Sequence, residues 1–230
     1  RAATLAPDSD DLLDARVGVA LHLARAEADR GVDPRPRLQA AAADALRALA
    51  SGGPSGARLN LLGCSYRQLG LADRQRGRDP RPVLRQASDA FAKSAALNPA
   101  LAAAAVNGGL IWTEVGEVEA TLSQDPGASW LAAVACFDEA VRREPISVIA
   151  RLCRAKVRLR QAEFAATRGA DPRRTLETVQ DECVAALRLN PESGDAHLIR
   201  GMAELARGEW ELGSGGAAQV SLERALAEFA

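Results

Sequence analysis

The chain has 230 residues, with Lys+Arg 29 against Asp+Glu 30 and a formal net charge of −1. No basic field draws such a chain to nucleic acid, and its longest apolar stretch, running toward Trp112, is too short to span a bilayer, so neither nucleic-acid binding nor membrane insertion is expected. Hydrophobic residues make up 47% of the chain and aromatics only 3%, so the apolar content is mostly alanine and leucine, which suits helices packed closely through small side chains.

Taken in chain order, the elements repeat. Ala3-Thr4-Leu5-Ala6-Pro7 reads as the end of a second helix, the same pattern as Ala95-Ala96-Leu97-Asn98-Pro99, so residues 1–7 are expected to close a preceding repeat. Repeats are then expected at 8–53, 54–99, 100–145, 146–191 and 192–230, the last one truncated. The markers are Asp33-Pro34, Asp79-Pro80, Asp125-Pro126 and Asp171-Pro172, at a constant interval of 46 residues, with Pro99, Pro145 and Pro191 keeping the same step and Pro54 one residue off it. A fixed period of this length marks one supersecondary unit laid down repeatedly. Within 100–145 the spacing predicts a first helix from about Leu101 to Leu122 and a second from Pro126 to about Arg143. Asp125 is placed to accept from the free N–H groups of the next turn, and Pro126 suits a position that needs no donor. Gly31, Gly77 and Gly169 precede the aspartate by two residues and supply a left-handed stop for the first helix. In the last repeat Gly213-Ser214-Gly215-Gly216 carries neither aspartate nor proline, and that hairpin is expected to be the loosest.

Packing positions keep the same step. Second helices share Leu38, Leu84, Trp130, Leu176 and Leu222 at one register, and Ala45, Phe91, Phe137, Cys183 and Phe229 seven residues on. Ala41, Ala87, Ala133, Val179 and Ala225 lie between them, small enough to let a neighbouring helix approach. First helices carry Gly63, Gly109, Ala155 and Gly201; a mid-helix glycine costs roughly 1 kcal/mol against alanine, so its recurrence argues for tight helix contact. Trp112, Trp130 and Trp210 are expected at buried helix contacts. The four cysteines (Cys64, Cys136, Cys153, Cys183) form no CxxC pair and read as small buried apolar residues in a reducing compartment, which suits a cytoplasmic location. Cys153 and Cys183 fall in the two helices of one repeat. His22 and His197 are too isolated to suggest a metal, and no cofactor motif is present.

The pattern resembles the tetratricopeptide repeat: Gly109 and Trp112 in the first helix, then Ala133, Phe137, Ala140 and Pro145 along the second, at the family's spacing. The departure is about 12 extra residues, giving 46 in place of 34, with longer helices on either side of the Asp-Pro turn. The resemblance implies an all-α solenoid of about five stacked antiparallel hairpins whose first helices line a concave, partner-binding side. The turn Gly-x-Asp-Pro-Arg-Pro and the Leu-x-Pro ending also resemble repeats found beside bacterial serine/threonine protein kinases, although no kinase signature occurs in the chain itself. Both ends fall inside repeats, which implies a piece of a longer array.

Carried onto this sequence, the groove positions are Asn60, Val106, Leu152 and Leu198; Cys64, Leu110, Lys156 and Met202; and Arg67, Thr113, Leu159 and Leu205. The Lys/Asn set that grips a peptide carboxylate is not present together, since Asn60 and Lys156 match singly. Asn107 adds a polar group among the candidate partner-binding residues. Arg151, Arg154 and Arg158 form a cationic row with Lys156 and Arg160 beside it, read either as a dock for an acidic or phosphorylated peptide or as a solvated face whose stems cover alanines. Leu152, Leu159, Leu198, Met202 and Leu205 form an apolar strip, read either as groove or as core. No converging catalytic groups are found, so no enzymatic role is expected. The leading expectation is a scaffold that binds a protein or peptide; the alternatives are self-association through the open array ends, a structural spacer, or a small-molecule sensor.

Overall fold

A computed structural model of the chain describes residues 9–98 and 102–229. Residues 3–7, Pro99, Leu101 and Ala230, which carry the expectations about the preceding repeat, one helix start and the chain end, lie outside the described residues. Among the described residues the secondary structure is ten helices without strands. The chain divides into two compact units, one ending at Leu122 and the other beginning at Ser123.

The first unit holds α1 (Asp10–Asp29), α2 (Arg35–Gly52), α3 (Gly56–Gln75), α4 (Arg81–Leu97) and α5 (Ala102–Thr121). Each helix packs on the next along the chain, and the first helices α1 and α3 also touch. The second unit holds α6 (Gly127–Arg143), α7 (Val148–Thr167), α8 (Arg173–Leu189), α9 (Gly194–Gly213) and α10 (Gln219–Phe229), packed in the same sequential way, with α7 touching α9. This is the stacking of helical hairpins in which each element shelters its neighbours.

The Asp-Pro turns work by local bonding. Asp33, Asp79, Asp125 and Asp171 each accept, through Oδ1, the N–H two residues on, at 3.0–3.1 Å. The following proline takes αR geometry just outside the helix, so the helix begins one residue later than the sequence spacing implies. Where the next residue is arginine, its guanidinium folds back onto the same carboxylate: Arg81 Nη2 meets Asp79 Oδ2 at 2.8 Å, and Arg173 Nη2 meets Asp171 Oδ2 at 2.6 Å. Arg35 Nε donates to Asp33 in the same way, at 2.9 Å to Oδ1, and such bonds are the largest cause holding the Asp33 and Asp171 carboxyls down at about 2. Gly31, Gly77, Gly169 and Gly215 all have positive φ, as a left-handed stop requires, and in the third turn Ser123 takes that conformation at φ 58°.

Three first helices, α3, α7 and α9, start on a capping serine that the repeat spacing does not single out. Ser55, Ser147 and Ser193 occupy one register, and each hydroxyl accepts the N–H three residues on.

Inside each hairpin, large faces small. Gly63 lies under the Phe91 ring and Gly201 under the Phe229 ring; a Cβ added at either would come within 2.6 Å or less of a ring carbon. At the same register Val17 shares a core cluster with Ala45, and Ala155 shares one with Cys183. A second small position follows one heptad later, where Gly70 meets Leu84 and Gly208 meets Leu222. Leu38, Leu84, Trp130 and Leu176 are buried as expected, as are Phe91 and Phe137. Three expectations change. Trp112 and Trp210 are half-buried, while Trp130 is the buried one and meets Phe164 edge-to-face at 5.5 Å. Phe229, on the last helix, is 48% exposed because no described element follows it. Of the cysteines only Cys183 is buried, its thiol pushed up to about 12 by burial; the other three are partly covered, and none of the four is in a disulfide.

Candidate protein-interaction surface

First helices present their polar side chains to one another across repeats. In the first unit, Asn107 Nδ2 donates to Asn60 Oδ1 at 3.1 Å, and Arg67 donates to Glu114 Oε1 through Nε at 3.0 Å and Nη2 at 2.7 Å. Arg74 meets Glu117 at 3.2 Å, and on the other side of α3 Arg58 reaches Asp14 at 3.1 Å. Thus Asn60, Arg67 and Asn107 are brought together as rungs of one ladder between α3 and α5. Glu114 is buried, and burial pushes its carboxyl above the usual range against the pull of Arg67. The ladder spends most of its polar capacity internally, which fixes first-helix spacing and leaves few free donors for a ligand.

The cationic row of the second unit is likewise built into the fold. Arg154 bridges Asp138 on α6 and Glu182 on α8, both at 2.5 Å. Burial opposes its charge, but the bonds to Glu182 and Asp138 outweigh burial and hold its pKa above the ordinary value. Glu182 also faces Arg151 and Arg158, each at 3.6 Å, and Arg151 donates to the Pro145 carbonyl at 3.0 Å. The position recurs: Arg16 meets Asp44 at 2.9 Å in the first repeat, and Arg200 meets Glu228 in the last. In the second repeat the pair is Leu62 and Ala90, in one apolar cluster. An ion pair and an apolar pair thus serve the same joint.

The apolar strip divides. Leu152 and Leu159 are core, covered by Ile199 and Ala203 of α9, whereas Leu198 and Leu205 are exposed and Met202 is partly covered. Where α7 meets α9, a recess of about 110 Å³ is lined by Ile149, Leu152, Cys153, Lys156, Asp195 and Ile199. Lys156 is exposed at its rim, and Arg160 lies one turn further along α7, paired with Glu163 at 2.9 Å. Ile149, one of the most exposed large apolar residues of the chain, escaped the sequence reading because it sits in the first turn of α7, where the family pattern assigns no groove position. No helix among the described residues is long and apolar enough to cross a membrane.

The sequence matches no protein-family model and no curated protein. Solved structures do match in shape. A crystal structure of MamA superposes with a TM-score of 0.55 at 14% identity, covering 89% of this chain and 93% of that one. A thermophilic tetratricopeptide repeat protein of Thermus thermophilus, TTC0263, gives 0.54 at 17% identity over 93% and 88% of the two chains. A tetratricopeptide repeat protein from Parabacteroides merdae gives 0.53 at 16% identity, covering 91% of this chain and 64% of that one. The fold is all-α and tetratricopeptide-like.

Proposed function

We propose that the protein is a non-catalytic scaffold that binds a segment of another protein on the first-helix surface of its second unit. The observation that carries this reading is the exposed apolar row of Ile149, Leu198 and Leu205 beside the recess between α7 and α9, with Lys156 at its rim. Apolar anchors flanked by an accessible cation suit a short amphipathic segment with an acidic or phosphorylated residue. Lys156 and Arg160 are the cations placed to meet such a charge; for Arg151, Arg154 and Arg158, a phosphate would have to displace Glu182. Asn60, Arg67 and Asn107 position the first helices of the other unit in this reading.

A display selection of peptides against the whole chain tests it. Selected binders are expected to lose at least about tenfold in affinity, roughly 1.4 kcal/mol, on Ile149→Asp or Lys156→Glu. Binders indifferent to both substitutions would place the site elsewhere. The Gly-x-Asp-Pro-Arg-Pro turn further supports a place in a larger bacterial signalling protein, as the regulatory or docking region of a serine/threonine kinase inside the cell. A parent reading frame without a kinase domain would overturn that context.

A further inference from the structure

The repeat register exposes a surface that the proposed peptide site does not use. Val19 on α1 is 58% exposed, yet the residues at its register in the later repeats are all buried: Ser65, Ile111, Val157 and Ala203, each at 0–1%. Ile111 is covered by Leu84, Ala87 and Phe91 of the preceding second helix α4. In the first repeat the equivalent space is a groove of about 620 Å³ between α1 and α2, with Leu12, Val19, Ala20 and Leu23 along its floor. Its charged rim is already neutralised within the unit, Arg16 by Asp44 at 2.9 Å and Arg37 by Glu27 at 2.8 Å. An apolar helix can enter without leaving a charge unpaired. The groove is therefore cut for a second helix of this repeat type with a weakly charged outer face.

The chain displays one such helix. On α10, Leu226 is 70% and Phe229 48% exposed, while the residues at the Phe229 register in earlier repeats are at most 1% exposed. Register also predicts the fit. The pair formed by a second helix and the next first helix at this level is Ala42 with Tyr66, in one apolar cluster, and Gln180 with Glu204, bonded at 3.0 Å. The corresponding pair across two molecules is Leu226 with Ala20, a large residue against a small one. We propose that copies of this chain associate head to tail, α10 of one molecule seating in the α1–α2 groove of the next, so that the contact continues the repeat interface between molecules. Such a contact is heterologous, each molecule offering one groove and one helix.

Sedimentation velocity on the whole chain from about 1 μM to about 1 mM, a range spanning Kd values of those magnitudes, tests this. The mass is expected to rise with concentration above 24.2 kDa. Val19→Asp and Leu226→Asp should each return the chain to monomer over that range, with helicity by circular dichroism unchanged; Leu23→Asp replaces Val19→Asp if that variant unfolds. Mixing the two variants should restore a 1:1 dimer that grows no further, since one keeps the helix and the other the groove. A monomer at every concentration would overturn the proposal and leave the groove to residues 1–8 or a flanking repeat. Unchanged assembly by either variant, or a mixture that stays monomeric, would overturn it as well.

Discussion

At the register where a first helix meets its own second helix, the residues are Val17 with Ala45, Gly63 with Phe91, Ala155 with Cys183 and Gly201 with Phe229. The aromatic ring occurs on the second helix only where the first helix carries glycine, as a close-packed interior demands. Each glycine here is a shape requirement, because a methyl group at Gly63 would stand 2.6 Å from the Phe91 ring. Gly63→Ala is expected to destabilise by roughly 1–3 kcal/mol through overpacking. Phe91→Ala should cost about 3–5 kcal/mol through the cavity it leaves. The double variant should cost clearly less than the two added, because the added methyl group gains room once the ring is gone; chemical denaturation of all four proteins reads this coupling. Additive costs would mean the two side chains do not share a space.

At the scale of the element, the Asp-Pro turn was the most legible feature of the chain, because its bonds are local and follow from spacing alone. What spacing could not reveal is that Arg35, Arg81 and Arg173 clamp the capping aspartate from the side, since any exposed arginine reads as solvated. The depressed Asp33 and Asp171 carboxyls have a definite consequence. Both pKa values lie below the ordinary 3.8, so the stability they contribute is fully present above that value and is lost as pH falls from 3.8 through about 2. Urea midpoints of an Asp33→Asn, Asp171→Asn double variant should be lower than the parent's at neutral pH and should fall less steeply across that acid window. Parallel curves would show the clamps to be irrelevant to stability. The third turn departs from the pattern, with Ser123 in the left-handed conformation and Gly127 where arginine stands in three others. Ser123→Gly is expected to stabilise by about 0.5–1 kcal/mol, measured by thermal or urea denaturation, because it removes a Cβ from a conformation that disfavours one.

At the scale of the whole molecule, the period announced hairpins but not the grouping of helices into two compact units. A strictly kept step carries no mark of a boundary, and only the altered turn at Ser123 hints at one. The candidate interaction surface was less legible for a related reason. Family spacing assigned Leu152 and Leu159 to a groove, yet they are core, because α9 covers them; the same register on α9 has no such cover and leaves Leu198 and Leu205 open. Burial in an array depends on which neighbour a residue has, and one repeat read alone does not contain its neighbour. The arginine row shows the same limit: its partners Asp138 and Glu182 come from two other helices, and only their convergence turns a cationic stripe into an ion-paired joint.

The alternating bulk of facing positions also governs how such a chain can lengthen or be recombined. A first helix carrying Gly63 matched to a second carrying Ala45 would enclose a void, and one carrying Val17 matched to Phe91 would collide. Viable cut points for grafting or duplication therefore fall after a second helix, near Gly53 and Pro54, and not at the Asp-Pro bend. The heritable cassette of this molecule is the matched pair of helices, copied together or not at all.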